Sequence, residues 1–227
     1  MFNEGDKVLI ISAHPDDDIL GCGGTISKFS DKIEFRVIFI AEGTSCRYQD
    51  PTCQESLEEI EIRNNYGKLA LNYLGVTNYH FYNLPCGRLD QVPLIEINKI
   101  IESEIKFFNP HTVLTHLGTD TNKDHCKVYD STMIATRPCC SVKNVLSYEI
   151  LSSTEWQFDN TFSPNVFVSL DEDDVINKIK ALGHYKSEIK DFPYPRSDKG
   201  IRTLSQYRGL QSGNKNAESF KLVRCIV

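Results

Sequence analysis

The chain has 227 residues, of which 40% are hydrophobic and 25% charged, a composition typical of an ordinary globular protein. Its net charge of −6 argues against general nucleic-acid binding, and no apolar run approaches the roughly 18 residues that a membrane-spanning helix needs. Residues 1–10 have neither the basic region nor the apolar core of a signal peptide. We therefore expect a cytoplasmic protein without membrane insertion.

Strand-like and helix-like segments alternate along the whole sequence. Apolar, β-branched runs predict strands at 8–11, 34–40, 79–84, 112–116, 145–150, 167–170 and 221–226. Helical periodicity predicts a helix after the first strand and others at 55–74, 93–108, 125–135, 171–189 and 201–210. This alternation is typical of an α/β fold, so we predict a Rossmann-like, mostly parallel sheet with helices on both faces, in a single domain spanning residues 1–227.

Two predicted helices carry apolar stripes that we expect to face the core. Gly75 is a plausible C-cap for the first of them. The stripe of helix 55–74 consists of Leu57, Ile60, Leu69, Ala70 and Leu74, and that of helix 93–108 of Ile95, Ile97, Ile100, Ile101 and Ile105.

Residues 7–24 (KVLIISAHPDDDILGCGG) concentrate polar side chains directly after the first predicted strand. His14 and the aspartates at 16–18 follow the strand, and a glycine-rich turn at 21–24 can open a helix. Ligands of open α/β sheets bind outside the carboxyl ends of strands. Three crowded carboxylates repel one another unless a cation lies among them, which favours a divalent metal site. The alternative is a solvated acidic loop with His14 exposed.

A tetrahedral metal needs a further ligand from another part of the chain. His125 lies in a polar segment between a predicted strand and helix, which places it on the same rim as His14. His116 ends the fourth predicted strand and is the second choice, and Cys126 is a weaker candidate beside His125. The other histidines, which we expect to be structural or exposed, are His80, His111 and His184.

The motif AHPDD at 13–17, together with DH at 124–125, resembles the signature of the PIG-L/LmbE-like N-deacetylases. The resemblance covers almost the whole chain. The segments THLGTDTNKDH, ATRP, SSTEW, YPRSDKGI, RG and AESF resemble one bacterial branch associated with amino-sugar and surface-polysaccharide biosynthesis.

This resemblance implies a role for each matching residue. His14, Asp17 and His125 are the implied zinc ligands, with Fe(II) or another divalent metal as the alternative ion. Asp16 is the implied general base, which deprotonates the attacking water and later protonates the departing amine. A fourth coordination position left open for water is typical of a catalytic site.

The chain departs from the family pattern at two positions. Asp18 stands where many members have glutamate, and Asn122 stands where many have a histidine that assists the oxyanion or a proton transfer. Asparagine donates a hydrogen bond but cannot shuttle a proton, so His116 or Asp120 is expected to share that task. In addition, Asp124 is expected to orient an imidazole ring.

Substrate contacts are predicted from arginines. From residue 175 onward there are 11 Lys and Arg against 4 Asp and Glu, a net charge of +7 that leaves −13 for the rest of the chain. Such a basic segment suits an anionic group, or else is a solvated surface. Glu218 is a candidate to pair with one of these arginines structurally. The candidates to grip a phosphate or diphosphate, each with a surface salt bridge as its alternative, are Arg63, Arg137, Arg196, Arg202 and Arg208.

The resemblance implies a metal-dependent hydrolase that removes the N-acetyl group from an N-acetylated sugar, including sugars linked to a nucleotide or lipid diphosphate. One alternative is an amidase acting on a non-sugar N-acyl metabolite. Another is a non-catalytic Rossmann-like module that holds phosphate at the 21–24 turn, although GCGG does not match G-x-G-x-x-G. The expected partner is a small N-acetylated sugar or sugar conjugate, and a homo-oligomer is compatible with this function.

Overall fold

The computed structural model describes residues 2–227, in which seven strands form one sheet of order β3-β2-β1-β4-β5-β7-β6. The first five strands in this order, from β3 through β2, β1 and β4 to β5, pair with their neighbours in parallel. Strand β7 runs antiparallel to both β5 and β6. The predicted α/β fold with a mostly parallel sheet is confirmed. The strands are β1 (Lys7–Ser12), β2 (Glu34–Ala41), β3 (Tyr79–Leu84), β4 (Thr112–Thr115), β5 (Asn144–Tyr148), β6 (Val166–Leu170) and β7 (Asn216–Cys225).

Helices cover both faces of the sheet, and each face has its own apolar core. Successive side chains of β1 point to opposite faces, so Val8 and Ile10 enter one core while Leu9 and Ile11 enter the other. The first core includes residues of α1, α2, α5 and α6, and the second includes residues of α3 and α4. The helices are α1 (Asp17–Phe29), α2 (Gln54–Tyr73), α3 (Leu94–Phe108), α4 (Lys123–Ala135), α5 (Glu172–Leu182) and α6 (Asp198–Ser212).

The prediction of a glycine-rich turn at 21–24 is wrong, because these residues lie inside α1, which begins at Asp17. Their role is close packing. A Cβ at Gly21 would lie 2.4 Å from the ring of Tyr148, and one at Gly24 would lie 2.5 Å from Leu170. The glycines therefore let α1 approach β5 and β6, and the turn on which a phosphate-binding module would depend does not exist.

Two predicted apolar stripes are partly wrong. Leu57, Leu69 and Ile95 are exposed, whereas the rest of the predicted stripe residues are buried or half-buried. The reason in α2 is that the stripe facing the protein carries polar and small residues, which a hydrophobicity pattern does not reveal. The buried residues of α2 are Ser56, Arg63, Gly67, Ala70 and Leu71.

Helix α5 is shorter than predicted, and β7 is longer. The chain leaves α5 at Gly183 and turns, which buries the ring of Tyr185 in the first core. Strand β7 begins at Asn216 because its first residues pair with β6 before its later residues pair with β5. Gly75 has φ +82°, as expected of the residue that ends α2.

No helix within residues 2–227 combines the length and the apolar character that crossing a membrane requires.

Candidate metal and catalytic site

The two predicted halves of the site meet at one edge of the sheet. Strands β1 and β4 are parallel neighbours, so the segments that follow them lie side by side. His14 and Asp17 follow β1, and His125 lies in the first turns of α4 after β4. Donor atoms of these three buried residues lie within 4.8 Å of one another, as His14 and His125 approach Asp17 from separate elements.

The carboxylate of Asp17 is the centre of this cluster. Its Oδ2 lies 3.3 Å from Nδ1 of His14, 3.4 Å from Nε2 of His125 and 3.5 Å from Nε2 of His116. Burial acts to raise the pKa of Asp17, but the charge of His125 and hydrogen bonds from the rings of His125 and His14 hold it well below its usual value. The cluster thus stabilises a negative charge surrounded by nitrogen donors.

The ring of His14 is fixed by a second buried carboxylate. Its Nε2 lies 2.9 Å from Oδ2 of Asp124, which also accepts the amide hydrogens of Gly87 at 2.6 Å and, through Oδ1, of Leu89 at 3.1 Å. Burial lowers the pKa of His14, but Asp124 and Asp17 outweigh it and raise the pKa to about 10. The predicted orienting contact of Asp124 is thus made with His14.

The ring of His125 has a similar arrangement on its other side. Its Nδ1 lies 3.3 Å from Oδ1 of Asp120. Asp120 in turn accepts hydrogen bonds from the hydroxyls of Ser153 and Thr154 and from the amide of Asn122. Burial acts to raise the pKa of Asp120, but the contact with His125 and the hydroxyl hydrogen bonds from Ser153 and Thr154 hold it at about 2. Asp120 therefore lies beside the imidazole of His125, and its predicted share in oxyanion stabilisation or proton transfer stays a prediction.

The donor set fits a divalent metal ion. His14 and His125 each direct one ring nitrogen to Asp17 and the other to a buried carboxylate, which is the arrangement by which proteins orient metal-binding imidazoles. Two imidazoles and one carboxylate suit Zn²⁺, and Fe(II) accepts the same ligands.

His116 does not fit the role of second-choice ligand. Its Nε2 accepts the amide hydrogen of Ala13 at 2.8 Å, and its Nδ1 has no hydrogen-bond partner among residues 2–227. The ring stacks on His125 with centroids 4.0 Å apart, and burial lowers its pKa well below the usual value. His116 therefore packs behind the cluster as a neutral ring.

Asp16 is held by two arginines. Nη2 of Arg63 lies 2.8 Å and Nη1 of Arg196 lies 2.5 Å from its Oδ2. Glu188 joins the group, since its carboxylate contacts Arg63 at 2.5 Å, Arg196 at 3.2 Å and Arg47 at 2.7 Å. Burial raises the pKa of Asp16, and the two arginines reduce that rise.

The backbone of Asp16 has φ 128°, a value that non-glycine residues rarely adopt. Its carbonyl oxygen accepts the amide hydrogens of Ile19 and Leu20 and so starts α1. Strained backbone of this kind is concentrated at functional sites. The strain turns the side chain of Asp16 toward the arginines while Asp17 faces the histidines.

Asp18 is buried, like its neighbours Asp16 and Asp17. Its Oδ1 accepts the amide hydrogen of Asp16 at 3.3 Å, and its Oδ2 has no hydrogen-bond partner among residues 2–227. Burial raises its pKa to about 8.

Asn122 caps α4, because its side-chain oxygen accepts the amide hydrogen of Asp124 at 2.9 Å. The catalytic role of Asn122 stays a prediction. The side-chain NH₂ group is the part of Asn122 that the cap does not use, so that role would fall to it.

Three of the five predicted substrate arginines have other partners, away from the cluster. Arg137 is exposed and lies 3.5 Å from Glu102, and Arg202 forms an exposed ion pair with Glu172. Arg208 donates two hydrogen bonds to Glu149, at 2.6 and 2.8 Å. For these three, the structure shows the ion pair that was the alternative to the predicted substrate contact, and the substrate contact itself stays a prediction. The predicted pairing of Glu218 with an arginine is also wrong, because its partners are Lys178 and two amides of α1.

Sequence reasoning missed the residues that support the site from outside its motifs. Glu188 is one of only four acidic residues after position 174, which was the available signal for it. The amides of Gly87 and Leu89 left no signal, because any residue except proline supplies a backbone N–H.

Replacing Asp120 by alanine is expected to weaken metal binding by about 10- to 100-fold, because the ring of His125 loses the carboxylate that orients it. Competition with a chromogenic chelator measures this affinity. Asp130→Ala, at an exposed position on α4, the helix that carries His125, is the control and should bind metal like the unchanged protein. Equal affinities of the two variants would contradict the assignment of Asp120.

The chain is similar to known proteins along most of its length. The sequence model of the PIG-L family, described as GlcNAc-PI de-N-acetylase, matches residues 9–136, more than half of the chain and both halves of the cluster. YaiS of Escherichia coli strain K12, named an uncharacterized deacetylase, is 28% identical over 192 residues, covering 82% of this chain and 93% of YaiS. The diacetylchitobiose deacetylase of Thermococcus kodakarensis is 27% identical over 233 residues, covering 98% of this chain and 85% of that protein.

A solved structure supports the same fold. The N,N'-diacetylchitobiose deacetylase of Pyrococcus horikoshii, complexed with its inhibitor MPG, superposes with a TM-score of 0.77 and 22% identity. The match covers 96% of this chain and 84% of that one. At this identity the likeness concerns the fold, while the family match rests on the sequence. The chain therefore belongs to the PIG-L family.

Proposed function

We propose that this protein is a metal-dependent hydrolase that removes the N-acetyl group from an N-acetylated sugar. The observation that carries the proposal is the pair of histidines that turn one nitrogen to Asp17 and the other to a buried carboxylate. The family description, a de-N-acetylase, and a relative named for deacetylation of diacetylchitobiose support the same reaction.

The residues that would hold the metal are His14, Asp17 and His125. A divalent ion there supplies Lewis-acid polarisation of the amide carbonyl and makes water more acidic. Zn²⁺ is the proposed ion, with Fe(II) as the alternative for the same ligands. Asp124 and Asp120 keep the two imidazole rings in place through their other nitrogens.

The protein's own groups perform the proton transfers. Asp16 takes the proton of the attacking water and passes it to the departing amine, so that acetate and a free amine are released. Arg63 and Arg196 hold the carboxylate of Asp16 in one position, and their charges counter the rise that burial causes in its pKa. The amide NH₂ of Asn122 is proposed to donate a hydrogen bond to the developing oxyanion.

The substrate proposal is firmer for the sugar than for a diphosphate carrier. Of the five arginines predicted to grip phosphate, only Arg63 and Arg196 lie at the site. Both of these contact Asp16 and Glu188, so their charges already have partners inside the protein. We therefore propose an N-acetylated sugar as the substrate class, with a role in amino-sugar or surface-glycan biosynthesis as the wider setting.

A panel assay tests this proposal. The metal-loaded protein is incubated with N-acetylglucosamine, diacetylchitobiose, a nucleotide-linked N-acetyl sugar and N-acetylated amino acids, and released acetate and free amine are measured. We expect acetate and amine in equal amounts from at least one sugar. Release from the amino acids alone would favour the amidase alternative, and no release from any compound would contradict the proposed activity.

A further inference from the structure

Two cysteine thiols lie side by side next to the candidate site. Cys46 follows β2 and Cys86 follows β3, yet the two sulfur atoms are 3.4 Å apart and Cys86 donates a hydrogen bond to Cys46. All eight cysteines of the chain are free thiols. The pair is therefore a reduced dithiol whose sulfurs are already in contact.

One buried carboxylate brings the two cysteines together. Glu42 accepts the amide hydrogen of Cys86 at 2.8 Å and that of Ser45, the residue before Cys46, at 2.9 Å. Gly87 has φ +70°, and a Cβ there would lie 3.1 Å from Cβ of Cys46. The glycine thus permits the close approach, and the pair is held in place before any bond forms between the sulfurs.

The two thiols differ in exposure and chemical character. Cys46 is exposed and precedes Arg47, whereas Cys86 is buried. The hydrogen bond from Cys86 lowers the pKa of the Cys46 thiol to about 6, and the pKa of Cys86 is raised by the same contact and by burial. An accessible thiolate beside a buried resolving thiol is the usual arrangement of a redox-sensitive pair.

The pair connects directly to the candidate metal site. The amide of Gly87, next to Cys86, donates to Asp124, and Asp124 contacts Nε2 of His14. Donor atoms of Cys86, Asp124 and His14 lie within 4.8 Å of one another. Movement of Cys86 therefore acts on the carboxylate that orients His14.

We propose that Cys46 and Cys86 form a redox site at which a peroxide converts the dithiol to a disulfide and thereby weakens metal binding at the neighbouring site. The thiolate of Cys46 attacks one oxygen of hydrogen peroxide, the O–O bond breaks, and the leaving hydroxide takes up a proton as water. The sulfur of Cys86 then attacks the sulfenic acid of Cys46. The S–O bond breaks and a second water leaves with the thiol proton of Cys86, so two thiols lose two electrons and the peroxide gains them.

Bond formation requires movement at the site. A disulfide holds its sulfurs about 2.05 Å apart, whereas the two thiol sulfurs are now 3.4 Å apart. Because Cys86 precedes the amide that holds Asp124, closing this gap shifts the contact between Asp124 and His14. Losing such an orienting contact weakens metal binding by about 10- to 100-fold. A matching fall in turnover rests on the proposed function, whereas the cross-link and the metal affinity do not.

The test uses the full chain loaded with Zn²⁺. Samples are treated with hydrogen peroxide, remaining thiols are alkylated, and peptides are mapped by mass spectrometry without reduction, while metal affinity is measured by chelator competition. We expect a cross-link between Cys46 and Cys86, an affinity at least about tenfold lower, and recovery of both on treatment with dithiothreitol. Cys46→Ser should abolish the cross-link and the loss of affinity, and Cys225→Ser, at another exposed cysteine, should change neither.

The proposal is overturned if the exposed thiol of Cys225 is oxidised while Cys46 and Cys86 stay unlinked, or if the cross-linked protein binds metal with unchanged affinity. A reduced protein that binds Zn²⁺ but releases no acetate would instead contradict the proposed function. In that case the cross-link and the fall in metal affinity would still support the redox site.

Discussion

Replacement of Asp16 by asparagine is expected to lower turnover by about 10²- to 10⁴-fold, the usual contribution of a general base. Asparagine keeps the size of the side chain and accepts hydrogen bonds from Arg63 and Arg196, but it does not take a proton from water. Because the carboxylate of Asp16 contacts the arginines and is not among the candidate metal ligands, the metal content should be unchanged. Steady-state acetate release and elemental analysis of the same sample measure the two effects.

The control for this variant is Asp31→Asn, which removes one carboxylate charge at an exposed position. It should keep both turnover and metal. The thermal unfolding of Asp16→Asn is measured in the same experiment to show that the variant is folded. This is needed because Arg63 is buried and loses part of its charge compensation in the variant. A folded, metal-loaded Asp16→Asn protein with near-normal turnover would mean that another residue is the base.

Replacement of His125 by alanine is expected to remove most of the bound metal and nearly all turnover. Of the three candidate ligands, it is the one contributed by the second half of the site, so its loss leaves only His14 and Asp17 in the cluster. Two ligands are too few for a stable zinc site, which uses three or four protein groups. Elemental analysis after extensive dialysis measures the loss.

His80→Ala is the matched control, since His80 is an exposed histidine on β3. It should retain its metal and its turnover. Retention of a full equivalent of metal by His125→Ala would contradict the assignment of the ligands, whatever its activity.

The fold was predictable from the sequence because strand and helix signals are local. Most strands have a compact apolar run, and alternation of such runs with helices leaves few arrangements other than a parallel sheet covered on both faces. The glycines at 21–24 were misassigned because glycine serves both turns and close packing, and the choice depends on Tyr148 and Leu170, which are distant in sequence.

The exposed leucines of α2 have a related explanation. A helix normally buries its apolar stripe, but α2 turns Arg63 inward to meet Asp16 and Glu188. That ion-pair cluster spans three separate parts of the chain. The apolar periodicity of α2 does not indicate this ion-pair cluster. The stripe with Leu57 and Leu69 was therefore assigned to the core, although both residues are exposed.

The candidate site was predictable to the extent that its residues follow strands. His14, Asp17 and His125 come after β1 and β4, and the topology of parallel sheets brings such positions together. Arg196 was singled out as a phosphate contact, whereas in the structure it lies against Asp16 and Glu188. Glu188, Glu42 and the amides after β3 act through tertiary contacts alone, which explains why the sequence did not reveal them.

The most direct test of the central claim is acetate release before and after metal removal. The protein is treated with a chelator, shown by elemental analysis to be free of metal, and assayed on the sugar of the panel that it hydrolyses. Zn²⁺ is then restored to about one equivalent, the number that one set of three ligands holds. The account predicts that turnover disappears with the metal and returns with it, whereas full turnover in the metal-free protein would contradict it.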